Sequence, residues 1–118
     1  LIPRFLLAPR GKKQLAWEVL NSSSDPAASN SGKRNYAANL GLDLVSDAEL
    51  DRASATAWYL VTDPMLAPVI EVDFLDGNET PYIDEQVDVM TDAMLMKVRL
   101  DYGVAAIDWR GGYKNVGA

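Results

Sequence analysis

The sequence has no cysteine and no histidine among its 118 residues. Without cysteine there is no disulfide framework and no thiolate metal site. Without histidine the chain lacks the commonest general base and the commonest metal ligand of proteins. It also has no apolar run near the roughly 18 residues that a membrane-spanning helix needs. These absences exclude a disulfide-rich domain and leave any nucleophilic serine without its usual activating base.

The composition is that of an ordinary globular domain, with 48% apolar and 24% charged residues. The length fits one domain, 1–118, with a single apolar core. The first residues, LIPRFLLAPR, resemble the interior of a protein and not a signal peptide, in which a positive region precedes the apolar one. We therefore expect the sequence to be a fragment of a longer protein.

Charge is distributed unevenly along the chain. Residues 1–59 hold seven Arg/Lys against six Asp/Glu, whereas residues 60–118 hold four against eleven. An acidic domain is a poor candidate for binding nucleic acid, because the neutralisation of phosphates requires clustered cations. The pattern predicts no specific nucleic-acid partner and no membrane partner, and it indicates an acidic surface that faces solvent or another protein.

Apolar periodicity predicts one clear helix and several strands. GKKQLAWEVLNS, residues 11–22, has Leu15, Val19 and Leu20 at helical spacing, which is typical of an amphipathic helix of about three turns. The strand-like runs are FLLAP (5–9), LGLDLVS (40–46), TAWYLVTD (56–63), VIEVDFLD (69–76) and MKVRLDYGVAAIDW (96–109). The predicted fold class is α+β, a mostly antiparallel sheet with one or two short helices.

Local signals lead to more specific expectations. The Ser-, Asn- and Gly-rich stretch 21–35 is typical of an exposed, mobile loop. Ser46 is expected to cap a short helical turn, since Glu49 follows at the spacing of a capping box.

The acidic half of the chain has its own expectations. In IEVDF, residues 70–74, the apolar side chains are expected to face inward and the two acidic ones outward. Residues 80–95 predict a turn followed by an irregular segment. Gly103 is expected to mark a bulge in the long C-terminal strand.

Carboxylates are abundant between residues 71 and 92, so a small hydrolase or ligand-binding domain built on this acidic region is the alternative function. A two-carboxylate hydrolase needs carboxyl groups about 5 to 10 Å apart, one with a pKa raised by burial. Here the carboxylates fall on an outer strand face or in a polar segment, which favours a solvated surface. The same region lacks the residue order of a calcium loop. We predict no catalytic residue, no cofactor and no metal ligand.

The neighbouring aromatic residues Trp58 and Tyr59 have two interpretations. One is a stacking platform for single-stranded nucleic acid. Adjacent residues on a strand point to opposite faces, so the two rings cannot line one platform. Core packing is therefore favoured, because such rings bury a large apolar area.

Aromatic, glycine and charged residues crowd together in LDYGVAAIDWRGGYKN, residues 100–115. The charged residues, taken alone, favour solvent-exposed ion pairs, each worth about 0 to 1 kcal/mol. The alternative is a seam between neighbouring subunits, where arginine and aromatic side chains are favoured. The candidate subunit-interface residues are Arg99, Asp101, Asp108, Trp109, Arg110, Tyr113 and Lys114.

Five motifs carry a resemblance to a known family: FLLAPRGKKQLAWEVLNS, WYLVTDP, IEVDFLDG, PYIDEQ and KVRLDYGVAAIDWRGGYKN. Their order resembles the C-terminal part of the major capsid proteins of tailed phages and prophages. The most similar group is the Mu-like type, often encoded as a fusion of prohead protease and major capsid protein. The similarity covers nearly the whole chain, and its last third is the most specific.

This resemblance implies an HK97-like coat fold and a structural, non-enzymatic role as the major head protein. By analogy, residues 1–96 belong to the axial domain, and residues 97–118 form a strand that returns to the peripheral domain and a closing segment. The implied partners are other copies of the same coat protein, with scaffold, protease and portal during assembly. The implied location is the virion capsid, assembled in the cytoplasm of the bacterial host.

Overall fold

The computed structural model describes residues 1–25, 29 and 32–117. The helices and strands are β1 (Pro3–Pro9), α1 (Lys13–Asn21), β2 (Asp43–Asp47), α2 (Ala48–Ala53), β3 (Trp58–Thr62), β4 (Ile70–Phe74), β5 (Tyr82–Asp88), β6 (Ala93–Arg99), β7 (Tyr102–Ala106) and β8 (Gly112–Asn115). Short 3-10 turns lie at Arg10–Lys12, Ala37–Leu40, Leu75–Gly77 and Trp109–Gly111. The predicted class, α+β with mostly antiparallel sheet and two short helices, is confirmed.

The chain forms two compact units. Unit 1 consists of Leu1–Val69 and Ile107–Ala118, and unit 2 of Ile70–Ala106. No helix in the described part of the chain is long and apolar enough to cross a membrane.

Unit 1 contains a four-stranded sheet in the order β2-β1-β3-β8. β1 is parallel to β2 and antiparallel to β3, and β3 is antiparallel to β8. A parallel pair needs a crossover connection, usually a helix, and α1 lies in the connection between β1 and β2. The helix predicted over 11–22 is thus confirmed over Lys13–Asn21, after a 3-10 turn.

The buried apolar residues of unit 1 are small. Ala8, Pro9, Ala57 and Ala67 are buried, and so is Thr62, whose hydroxyl donates a hydrogen bond of 2.9 Å to the carbonyl of Ile2. The large apolar side chains of α1 are only partly covered, because Leu15 is 54% exposed and Trp17 is 58% exposed. Unit 1 therefore has a tight centre of small residues and a loosely covered apolar periphery.

The predicted loop over 21–35 is only partly within the described residues, since 26–28, 30 and 31 lie outside them. In the described part, Ser24 and Arg34 form an antiparallel bridge. Asn35 is buried, its amide NH₂ donates to the carbonyl of Val19, and its amide oxygen accepts from the backbone N–H of Ala37 at 3.0 Å. Asn35 thus ties the end of α1 to the following 3-10 turn.

The cap of α2 is Asp47 and not Ser46, so the predicted cap is wrong by one residue. Asp47 has an extended backbone, and its carboxylate accepts a hydrogen bond of 2.8 Å from the backbone N–H of Glu49. Ser46 still belongs to β2 and pairs with Ala8 of β1. The sheet therefore extends one residue further than the capping-box pattern indicates.

Unit 2 contains two antiparallel strand pairs nested in the sequence: β4 with β7, and between them β5 with β6. The prediction of an irregular segment in residues 80–95 is wrong, because β5 is regular and pairs with β6 through seven consecutive residues. The single long strand predicted over 96–109 is also wrong, since it is broken at Leu100 and Asp101 into β6 and β7. Gly103 marks no bulge and pairs in register with Asp73.

Candidate subunit interface

One face of the β5–β6 pair is almost entirely apolar. Ile83 pairs with Val98, and Val87 pairs with Met94. Residues directly opposite on antiparallel strands share a face, and the same face recurs every second residue, which places Met96 among them. Each of these five side chains is between 58% and 66% exposed. The only other member of this face is an acidic residue, Glu85, opposite Met96.

The opposite face of β5–β6 is mainly polar. Asp84 lies opposite Lys97, and Tyr82 lies opposite Arg99. The guanidinium carbon of Arg99 is 5.9 Å from the centre of the Tyr82 ring, within the range of a cation–π contact. The two strands thus form an amphipathic ribbon.

The β4–β7 pair has the same organisation. Val72 lies opposite Val104, and Phe74 lies opposite Tyr102 with 6.5 Å between ring centres. Ile70 on this face is 62% exposed and Val72 is 48% exposed. The alternation predicted for residues 70–74 is therefore correct in period, but the predicted inward burial is wrong for Ile70 and Val72.

Exposed apolar faces on two strand pairs are unusual for a protein surface that meets only water. Contiguous exposed apolar patches mark sites of interaction with other proteins, and a lone two-stranded ribbon is marginally stable in water. The even spacing of Ile83 and Val87, and of Met94 and Val98, is the sequence signal for this face. The acidic residues between Ile83 and Val87 make the segment resemble a polar loop, so this signal is weak.

Two of the candidate interface residues belong to unit 2. The Nε of Arg99 lies 3.5 Å from a carboxylate oxygen of Asp101, and both residues remain exposed. They line a mainly polar hollow of about 340 Å³ together with Asp76, Asn78 and Tyr82. The backbone carbonyl of Asp101 also accepts a hydrogen bond of 3.1 Å from Leu75 N–H.

The other five candidate residues belong to unit 1. Asp108 accepts a hydrogen bond of 3.0 Å from the backbone N–H of Arg110, whose side-chain Nε lies 3.5 Å from the same carboxylate. Trp109, between them, is 83% exposed. A tryptophan held in this way on a short turn presents a large apolar surface at a low cost in conformational entropy.

Tyr113 and Lys114 lie on β8, the edge strand of the unit 1 sheet. The ring of Tyr113 is 6.0 Å from that of Trp58, and the ammonium of Lys114 is 5.8 Å from the ring centre of Tyr59. Trp58 itself is half-buried, so it serves packing and does not form an exposed stacking platform. Arg99 with Asp101 and Asp108 with Arg110 thus form local ion pairs, whereas Tyr113 and Lys114 contact aromatic residues of β3.

The acidic region 71–92 does not have the features of a two-carboxylate active site. The acidic side chains of β4 and β5 are exposed apart from a partly covered Asp88. Hydrogen bonds from the Thr91 hydroxyl and the Met90 backbone N–H hold the pKa of Asp88 below its ordinary value, the reverse of a general acid. Among the described residues, no three acidic side chains come together as a metal site requires.

Exposed apolar ribbon faces, an edge strand and an exposed tryptophan are features of a protein that associates with other protein chains. A family model described as "Phage capsid protein" matches residues 1–115, and the chain therefore belongs to this family. Its role is structural, its place is the virion capsid, and it assembles with other copies of the coat protein. No curated protein and no solved structure matches the chain.

Proposed function

We propose that the chain is the C-terminal part of a major capsid protein with the HK97-like fold, of the Mu-like prophage type in which a prohead protease is encoded with the coat. In this role it self-assembles into the hexamers and pentamers of an icosahedral shell in the cytoplasm of the bacterial host. Scaffold, protease and portal are its partners during assembly. The observation that carries the proposal is the pair of exposed apolar faces in unit 2 of a chain that belongs to a capsid family.

The mechanism is multiplication of weak contacts. An ion pair between two subunits contributes about 0 to 1 kcal/mol while it is exposed to water. A closed ring repeats each contact in every subunit, and a copy that is held by one contact makes the next one at a high effective concentration. Modest interfaces are therefore sufficient for a stable shell.

We further propose that the domain division follows the coat fold, with residues 1–96 in the axial domain and 97–118 forming the returning strand and closing segment. The two compact units divide the chain at other points, 69/70 and 106/107. The returning part includes the end of β6, all of β7 and β8, and the seven candidate interface residues.

The first test concerns Trp109 and Arg110 in the full-length coat protein. Trp109→Ala and Arg110→Glu should each reduce the yield of shells by about tenfold or more, because loss of an interface hot spot costs about 2 kcal/mol or more. Neither change should lower the melting temperature of the isolated chain, since both side chains are largely exposed. Shells are counted by electron microscopy, and melting is followed by circular dichroism.

Arg52→Glu is the matched control. Arg52 is also largely exposed and close to an acidic residue, Glu49, at 3.7 Å, but it lies on α2 and outside the candidate interface. Its reversal should leave shell yield unchanged. Normal shells from both Trp109→Ala and Arg110→Glu would contradict the proposed interface. So would an equal loss of shell yield in Arg52→Glu. Arg99→Glu extends the same test to unit 2.

A further inference from the structure

Unit 1 has an apolar groove between α1 and the sheet. Its volume is about 470 Å³. Leu15 and Leu20 of α1 line one side, and Leu6 and Leu60 of the sheet line the other, with Trp58 alongside. Leu15 is 54% exposed, so the groove is open to water. An opening of this size with an apolar lining is suited to receive one or two apolar side chains.

One basic residue, Lys12, lines this groove, and Arg10 and Lys13 are its neighbours in the chain; we call the three residues the basic rim. The carboxylate of Asp51 lies beside them and accepts a hydrogen bond of 3.3 Å from Gly11 N–H. None of these three cations forms an ion pair with any residue that the structure describes. The groove therefore combines an apolar floor with positive charge that is free to meet an acidic partner.

Unit 2 carries the complementary feature at the turn between β5 and β6, residues 89–92, which we call the tip turn. Val89 is 91% exposed and Met90 is 93% exposed, more than any large apolar residue of β5 or β6. Asp88 fixes the turn by accepting hydrogen bonds from Met90 N–H at 3.0 Å and from the Thr91 hydroxyl at 2.7 Å. Two apolar side chains are thus presented on an ordered turn between the carboxylates of Asp88 and Asp92.

Charge indicates which surfaces can meet. Unit 2 has two Lys/Arg and nine Asp/Glu, a net charge of −7, whereas unit 1 has nine against eight, a net charge of +1. Contact between the ribbons of two copies would bring two units of charge −7 together and is disfavoured. Contact between the acidic tip turn and the basic rim brings opposite charges together.

We propose that the tip turn of one copy docks into the apolar groove of unit 1 of a second copy, with Val89 and Met90 on the groove floor and the flanking aspartates at the basic rim. The inference rests on the proposed function as a self-assembling coat subunit. The contact is heterologous, with different surfaces on the two sides, so a docked pair keeps a free groove on one copy and a free tip turn on the other. Such a contact propagates around a ring, as a capsomer requires.

Cysteine cross-linking provides a direct test, because the chain has no native cysteine. Copies carrying Leu15→Cys on the groove wall are mixed with copies carrying Met90→Cys on the tip turn. Under mild oxidation, the disulfide between Leu15→Cys and Met90→Cys should form about tenfold faster than a disulfide between Leu15→Cys and a cysteine outside the docking surfaces. Docking raises the effective concentration of one thiol near the other. Non-reducing electrophoresis of the intact chain measures the rate. Val19→Cys, also on the groove lining, replaces Leu15→Cys if the latter does not fold.

The matched control is Met65→Cys. Met65 is 91% exposed, nearly the same as Met90, but lies in a turn of unit 1. Its disulfide with Leu15→Cys should form at the slow rate of random collision. Equal rates for Met65→Cys and Met90→Cys would overturn the proposal. A faster Met90–Met90 dimer would overturn it in favour of tip-to-tip contact.

Two further measurements separate the possible occupants. Lys12→Glu together with Lys13→Glu should abolish the tenfold advantage, and so should high salt, because both weaken the attraction at the rim. A double variant carries both Leu15→Cys and Met90→Cys in one chain. If its disulfide forms within one copy, at a rate that does not depend on protein concentration, the groove is occupied by the chain's own tip turn and the proposal is overturned. If the Leu15→Cys and Met90→Cys copies do not cross-link, but Trp109→Ala still reduces the yield of shells, the docking is rejected and the proposed coat function is retained.

Discussion

The carboxylates of Asp63 and Asp88 each close a turn. Asp63 accepts a hydrogen bond of 3.0 Å from Met65 N–H and also binds the Arg4 guanidinium, and these contacts lower its pKa in that order of importance. At Asp88 the Thr91 hydroxyl has the larger effect and the Met90 N–H the smaller one. In both cases the hydrogen bonds favour the charged form. These aspartates therefore hold the backbone geometry of the two turns.

The Thr91 contact gives a prediction with a defined pH dependence. A folded-state pKa below the ordinary 3.8 means that Asp88 stabilises the folded tip turn above pH 3.8 and that this contribution is lost as the pH falls through the lowered value. Thr91→Val keeps the shape and removes the hydroxyl, so the pKa of Asp88 should move up toward 3.8. NMR titration of the Asp88 carboxyl carbon measures it.

Thr80→Val is the control for that titration. Thr80 lies in the same unit, outside the tip turn, so its change should leave the midpoint of Asp88 where it is in the native chain. If Thr91→Val gives the same titration midpoint as Thr80→Val, the Thr91 hydroxyl does not lower the pKa of Asp88.

Single residues also show where sequence reasoning misses a structural role. Asn35 lies in a stretch with the composition of an exposed loop, yet it is buried and bonds to Val19 and Ala37. Composition cannot reveal this, because asparagine favours turns and buried side-chain bridges for the same reason, its ability to bond backbone groups.

At the scale of elements, the two adjacent glycines at the junction of the last 3-10 turn and β8 have different surroundings. A Cβ on Gly111 would lie 2.7 Å from the carbonyl oxygen of Ala67 and 2.9 Å from a methyl of Val69. A Cβ on Gly112 would meet Val69 at 3.4 Å, close to ordinary contact. Only the first glycine is required for the 3-10 turn to pack closely against residues 67–69.

We therefore expect Gly111→Ala to lower the free energy of unfolding by about 1 to 3 kcal/mol, the usual cost of forcing extra atoms into a packed site. Gly112→Ala, the matched control, should change it by less than about 1 kcal/mol. Urea denaturation followed by tryptophan fluorescence measures both. Equal effects of the two substitutions would mean that the approach of residues 67–69 does not depend on Gly111.

The strands of unit 2 show which element-level predictions fail and why. Residues 80–95 contain strand-length alternation, but their many carboxylates are typical of a polar loop, and the composition therefore does not indicate β5. The C-terminal run has apolar residues throughout, yet β6 and β7 pair with different partners and separate at Leu100 and Asp101. Pairing partners are chosen in three dimensions, so a continuous pattern does not ensure one continuous strand.

At the scale of the whole molecule, burial and charge are partitioned between the units. The buried apolar residues Ala8, Ala57 and Ala67 all belong to unit 1, whereas the strand pairs of unit 2 expose apolar faces and carry a net charge of −7. Little apolar burial and strong self-repulsion both weaken a folded unit. The stability of unit 2 is therefore expected to depend on partners in the assembled capsid.

Hydrogen exchange tests this partition. In the free chain, the amides that pair β5 with β6 should have protection factors at least about tenfold lower than those that pair β1 with β3, because marginal ribbons open readily. In shells of the full-length protein, protection of β5 and β6 should rise by more than that of β1 and β3. Mass spectrometry of peptides from the two states gives both comparisons.

The β1–β3 amides serve as the internal reference, since they lie in the middle of the unit 1 sheet. Equal protection of the two strand pairs in the free chain would contradict the dependence on partners. Unchanged exchange of β5 and β6 on assembly would place the apolar ribbon face outside the subunit contacts.

The sequence by itself determined the local features of this protein and its family. The helix of residues 13–21, the strands around Leu6, Leu44 and Leu60, and the α+β class follow from periodicity, which is a property of neighbouring residues. The ordered set of motifs pointed to the capsid proteins, and the family match supports that assignment.

Only the tertiary structure decided which apolar faces are covered. The alternation in residues 70–74 is the same whether or not a second layer packs on the strand, yet Ile70 and Val72 are exposed. The cap at Asp47, the burial of Asn35 and the division of the C-terminal run into β6 and β7 likewise depend on contacts between distant segments. Burial is a relation between layers, and no single stretch of sequence contains both layers.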